Sequence, residues 1–143
     1  MIANYVNKII TILLYMPAIR CYIGNEGTDA IRTWCDGLPP AVQAAVDVTL
    51  ETLTAQPRKW WRRKSFANLN NAPCAGLGEI RIDVNGEQFR IFGYDVPGSD
   101  TFALLYGFKK SCDPNYQRSC PIAQGRKVEV ENDPTRTKEC NFP

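Results

Sequence analysis

Between Gly76 and Lys110 the alternation of apolar and polar residues has the period of strands, and the rest of the chain is arranged around this stretch. Ile80, Ile82 and Val84 alternate with Glu79, Arg81 and Asp83, the pattern of a strand with one buried face. Asn85-Gly86 then closes a hairpin, since both central residues of a type I′ turn need positive φ. A two-residue loop sets Val84 against Glu87 and carries the register to Asp83 and Gln88, Ile82 and Phe89, Arg81 and Arg90, and Ile80 and Ile91. Ile80, Ile82, Phe89 and Ile91 share the core face. After the turn Pro97-Gly98-Ser99-Asp100, the segment Thr101–Phe108 is apolar on both faces, which predicts a central strand ending in Lys109-Lys110.

Upstream, Ala18–Ile23 is short and β-prone and stops at Gly24-Asn25. From Thr28 the period becomes helical: Ile31, Trp34, Cys35 and Leu38 fall on one side of a short helix punctuated by Asp36-Gly37. Pro39-Pro40 opens a second helix whose Val42, Ala45, Val46, Thr49, Leu50 and Leu53 form one stripe, and Gln56-Pro57 ends it. Asn68–Gly76 is a loop. Asp113–Ser119 is a polar loop holding Tyr116, and Ile122–Val130 fits either a helix or a strand. The chain thus divides into an N-terminal extension (1–15), one domain (16–131) and a flexible tail (132–143).

The extension carries Lys8 and the apolar run IITILLYM, which superficially resembles an export signal. That run is too short to span a membrane, and Pro17-Ala18-Ile19-Arg20 is not a small-x-small cleavage site. We read the segment as a lead into the first strand, with Met16 as a candidate start.

Charge alters this picture locally rather than globally. The 143 residues carry a net +2, so a nucleic-acid role must come from clustering. One such cluster is Arg58-Lys59-Trp60-Trp61-Arg62-Arg63-Lys64, five cations and two indoles in seven residues. The cations suit phosphate and the rings suit base stacking; the competing reading packs one or both Trp under the sheet and leaves the cations solvated. A second cluster is the hairpin pair. Arg81 and Arg90 oppose each other on the face away from the core, and like charges so placed repel. Either they form a seat for an anion, which the planar guanidinium fork suits, or Glu79 and Asp83 neutralise them as a solvated charge cluster. On this reading, exchange of either Arg for Gln leaves stability unchanged or slightly raised.

Histidine is absent, which excludes Ser-His-Asp and Cys-His mechanisms within the chain. The six cysteines show no CxxC and no metal-ligand spacing, so no metal site is expected. A disulfide framework among Cys112, Cys120 and Cys140 is conceivable, but with no export signal reduced thiols are the expected state.

Taken in order, DGLPPAVQAAVDVTLETL, WRRKSFANL, GLGEIRIDVNGEQFRIFGYD, FALLYGFKKS and IAQGRK resemble the RelE/HigB-like toxins of type II toxin–antitoxin systems, in particular a phage-derived HigB-like branch. The resemblance covers roughly Ala18 to Val130. It implies an α+β fold, with two N-terminal helices packed on a small antiparallel sheet centred on a β-hairpin, followed by a short C-terminal helix. It implies a cytoplasmic, ribosome-associated mRNA endonuclease that needs no cofactor, silenced by a helix-turn-helix antitoxin. By motif, the catalytic set falls on Arg81, Arg90, Lys109 and Lys110. The RNA-binding set is Arg58, Lys59, Arg62, Arg63 and Lys64, with Tyr94 and Tyr116 as weaker candidates for stacking or proton transfer. The alternative reading is a non-catalytic phage-derived module that keeps the fold and binds RNA or protein.

Overall fold

The computed structural model describes residues 2–14 and 16–140. Its centre is the hairpin of β3 (Gly78–Val84) and β4 (Glu87–Asp95), turned at Asn85 and Gly86 with φ of 51° and 81°. All five predicted cross-strand pairs are present, from Val84 and Glu87 to Ile80 and Ile91. β5 (Thr101–Lys109) runs antiparallel to β4, and β1 (Ala18–Tyr22) runs parallel to β5. Two short strands complete the sheet: β2 (Phe66–Asn68) pairs with β3, and β6 (Thr137–Glu139) pairs with β1. The six strands lie in the order β2-β3-β4-β5-β1-β6, so the sheet is mostly antiparallel with one parallel pair.

One face of the sheet is covered by α2 (Ala30–Asp36) and α3 (Pro40–Thr54). Asp29 caps α2 by accepting from the Ile31 and Arg32 amides at 3.0 and 2.9 Å. Pro40 starts α3 in the position where proline costs no hydrogen bond. The stripe Val42, Val46, Leu50 and Leu53 is buried against Ile80, Ile82, Phe89 and Ile91, as the periodicity predicted. Gly107 lets α2 sit close on β5: a Cβ there would come within 2.3 Å of the Trp34 ring.

The second face is also covered. α4 (Ser119–Asn132) lies across it, resolving the ambiguity at Ile122–Val130 in favour of a helix, and buries Cys120, Ala123 and Val130 with Phe92, Tyr94, Leu105 and Phe108. The face bearing Arg81 and Arg90 is therefore a second core over most of its extent, with Arg81 and Asp83 at its solvent-facing margin.

Two expectations are corrected here. Residues 132–140 are not a loose tail, because β6 pairs with β1 and Cys140 is bonded to Cys21. Nor are all six thiols reduced: Cys21–Cys140 and Cys74–Cys120 form disulfides, leaving Cys35 buried and Cys112 exposed as free thiols. The partners are 119 and 46 residues apart, so the fold, not the local spacing, brings them together. Asn141–Pro143 lie outside the described residues.

The extension forms α1 (Ile2–Leu14), a helix with Ile2, Tyr5, Val6, Ile9 and Ile10 exposed. Over residues 2–10 every side chain is exposed, so this part of the helix should add little to the stability of the domain. A chain beginning at Met16 is expected to melt within a few degrees of the full chain. Insoluble or unfolded protein would show that α1 is needed by the core.

Candidate nucleic-acid interface

The hairpin register fixes where the two arginines sit, and their surroundings decide what they do. Arg90 is 3% exposed and Glu79 is 1% exposed; Tyr116 bonds to Glu79, and Phe108, in contact with Tyr116, is the cross-strand partner of Arg90. The Arg90 Nε lies 2.7 Å from Glu79 Oε1, at an angle short of a hydrogen bond. Its Nη1 donates to Asp83 Oδ1 at 3.1 Å and to the Phe89 carbonyl at 2.9 Å. Burial works against the charge on Arg90, but the Asp83 bond and the Glu79 carboxylate outweigh it and raise its pKa above the ordinary value. Glu79 and Asp83 thus both neutralise Arg90, Glu79 from the buried side and Asp83 from an exposed position.

Arg81 stands differently. Its side chain is about a third exposed, its Nη2 is 3.7 Å from Glu79 Oε2, and its buried Nε has no hydrogen-bond partner. Of the two, only Arg81 has a guanidinium that reaches solvent. Above the pair, Tyr116 donates its hydroxyl to Glu79 Oε1 at 2.5 Å. Burial, that hydrogen bond and the nearby carboxylate push the phenol up to about 12, so Tyr116 is a proton donor to Glu79 and not a base near neutral pH. Lys110 completes the group, with Nζ 6.0 Å from the Tyr116 ring centroid. Lys109 belongs elsewhere. It pairs with Phe89 on the α3 side of the sheet and its Nζ meets Glu87 at 3.0 Å.

The basic segment is split in the same way. Arg58 is committed to the fold: its guanidinium lies 4.2 Å from the Phe66 ring centroid, forms two bonds to Asp95 at 2.9 and 3.1 Å, and reaches Asn68 at 2.9 Å. Trp61 is buried, edge-on to Phe66 and Phe102. Lys59, Arg62, Arg63 and Lys64 are exposed. The segment that carries them is joined to β3 by its backbone, where the Ser65 carbonyl accepts from the Arg81 amide at 2.8 Å. The basic loop and the strand of Arg81 are therefore neighbours along the chain's β2–β3 edge.

Tyr94 does not join it. Its ring is buried under α4 beneath Lys127, and burial followed by the charge of Glu131 raises its pKa. The structure thus brings together Arg81, Arg90, Lys110 and Tyr116, and a main-chain bond from Arg81 to Ser65 joins the segment of Arg62, Arg63 and Lys64 to the same strand. Lys109, Arg58 and Tyr94 lie apart from them. Glu79 is the hub that links Arg81, Arg90 and Tyr116; the sequence marked it only as a neutralising neighbour.

Among the described residues there is no group of three or more Cys, Asp or Glu side chains placed to hold a metal ion, and no helix is long and apolar enough to cross a membrane. No curated protein matches the chain. The family model of the phage-derived Gp49-like proteins (DUF891) matches residues 33–128, from the middle of α2 to the middle of α4, and so includes both arginines, Lys110 and the basic loop. The chain belongs to this phage-derived Gp49-like family, one of the RelE/HigB-like toxin families of toxin–antitoxin systems.

Proposed function

We propose that the chain is a toxin that acts on RNA, an endonuclease for messenger RNA at the ribosome, held silent by a helix-turn-helix antitoxin that covers the same basic edge. The observation that carries this reading is the 2.8 Å bond from the Arg81 amide to the Ser65 carbonyl, since it joins the segment bearing the exposed Arg62, Arg63 and Lys64 to the strand of the one hairpin arginine that reaches solvent. Cations along a loop hold a backbone, and a fixed guanidinium at its end can stabilise charge on one phosphate.

The reaction that suits such a set is attack of a ribose 2′-oxygen on the adjacent phosphorus. The 2′-hydroxyl gives up its proton to solvent as its oxygen bonds to phosphorus, the bond to the 5′-oxygen breaks to leave a 2′,3′-cyclic phosphate, and the 5′-oxygen takes a proton as it leaves. Arg81 stabilises the negative charge on the non-bridging oxygens. Arg90 supports it indirectly: by holding Glu79 it limits how far that carboxylate neutralises Arg81. Lys110 lies on the same side and is the candidate proton carrier for the leaving oxygen.

Arg81→Gln is therefore expected to fold normally and to lose about a hundred- to thousandfold in cleavage rate, the usual cost of removing one donor aimed at transition-state charge. Ribosome-dependent cleavage and growth arrest on induction are the readouts. A folded Arg81→Gln protein that cleaves and arrests growth like wild type would refute the assignment.

A second reading, a binding module without cleavage, is favoured by one specific observation. Arg90 and Tyr116 are both spent on the buried Glu79, which leaves Arg81 as the sole hairpin arginine open to a phosphate. On that reading the wild-type protein binds RNA yet leaves message intact.

A further inference from the structure

The segment after α3 buries one indole and leaves its neighbour outside. Trp61 is locked by Phe66, Phe102 and a bond from its Nε1 to the Leu53 carbonyl at 2.8 Å. On the other side of Trp60, Arg58 is pinned by Asp95 and by the Phe66 ring. Between these anchors the Trp60 ring stays 49% exposed. It lines a cavity of about 280 Å³ together with Leu53, Gln56, Arg62, Arg63 and Ser65.

We propose that this cavity seats one unpaired base of single-stranded RNA, with Trp60 as the stacking face and Arg62 and Arg63 on the flanking phosphates. The inference rests on the RNA-directed reading above and adds to it a subsite and a substrate class. An aromatic plane held rigid by its neighbours loses little entropy when a base stacks on it, and every base has a π-face to offer. Two guanidinium groups, an amide and a hydroxyl beside the indole suit a planar ligand tied to anions better than an aliphatic peptide. A base inside a duplex cannot reach the ring, so the seat selects single strands. Its position gives it a use. Ser65 lines the cavity and its carbonyl is bonded to the Arg81 amide, so a base held at Trp60 sets a nearby phosphate toward Arg81. Trp60 is thus a positioning residue.

The test is the affinity of the full-length protein for a labelled oligoadenylate, alone and annealed to its complement, by fluorescence anisotropy. Trp60→Ala is expected to weaken single-strand binding by about five- to a hundredfold, Trp60→Phe to retain most of it, and neither to alter duplex binding. Melting temperatures near wild type for both variants verify the fold, as the ring lies outside the core. Undetectable single-strand binding by the wild-type protein at low salt would overturn the proposal. So would a Trp60→Ala affinity equal to wild type, or an equal loss on duplex. Unchanged RNA affinity with lost capture of a co-expressed antitoxin would assign the indole to a protein interface instead. Failure of the cleavage reading is separate: a protein that never cuts message but shows the Trp60-dependent preference for single strands keeps the seat and loses the enzyme.

Discussion

Replacing Arg90 with Gln is expected to destabilise the fold by about 3–5 kcal/mol, the usual cost of removing one partner of a buried ion pair. The sign is opposite to what the opposed arginines suggest in sequence. Relief of repulsion between Arg81 and Arg90 is worth only a fraction of a kcal/mol, whereas the substitution leaves Glu79, 1% exposed, with its nearest cation gone. Tyr116 still donates to Glu79, but a phenol does not replace a charge. Glu79→Gln should cost less, because Arg90 keeps Asp83 and the Phe89 carbonyl. The double substitution, which removes both charges, is expected to be more stable than Arg90→Gln alone, with a coupling of about 1–3 kcal/mol. Urea unfolding midpoints of the four proteins measure this. An Arg90→Gln protein within about 1 kcal/mol of wild type would mean that the pair is hydrated in solution and the buried-hub description is wrong.

That reversal shows where the sequence was legible and where it was not. The register of β3 and β4 follows from Asn85-Gly86 and the period of two, both local, and the structure reproduces it pair for pair. Which face is covered depends on a helix about thirty residues away, and no local pattern states that. A signal was present nonetheless. Phe92 and Tyr94 share the parity of Arg90 along β4, so apolar residues stand on both faces of that strand, the mark of a sheet covered on both sides. The basic loop was legible as charge but not as geometry: Arg58 could be told from Arg62 only once Phe66, Asp95 and Asn68 had been brought beside it. β6 escaped notice because three residues of Thr-Lys-Glu carry no apolar alternation, and what holds them is pairing to β1 and the bond from Cys21 to Cys140.

Removal of that bond is the second large effect, and it bears directly on where the protein can work. Cys21 and Cys140 are 119 residues apart, so their bridge restrains almost the whole unfolded chain; loop-closure entropy puts its contribution at about 5 kcal/mol, with native bridges commonly worth about 2–5. Cys21→Ser/Cys140→Ser is accordingly expected to lower the melting temperature by about 10–15 °C. Treatment of the wild-type protein with a reductant should lower it by at least as much, since Cys74–Cys120 opens too. β6 should be the first element to lose amide protection, as three pairs to β1 and two bonds from Arg20 to Thr137 are what the bridge otherwise reinforces. A melting temperature indifferent to both the substitutions and the reductant would show that the bridge does not form in solution. The same measurement constrains the proposed function. Ribosomes are met in a reducing compartment where disulfides do not persist, so an endonuclease acting there must hold its basic edge with both bridges open. The hairpin, α2 and α3 contain neither Cys21 nor Cys140, Arg81 lies within that frame and Ser65 is bonded to it, so the frame should outlast the loss of β6. Reduced protein that stays folded at about 37 °C and still binds single-stranded RNA is the outcome the cytoplasmic reading requires; reduced protein that unfolds there would move its site of action to an oxidising compartment.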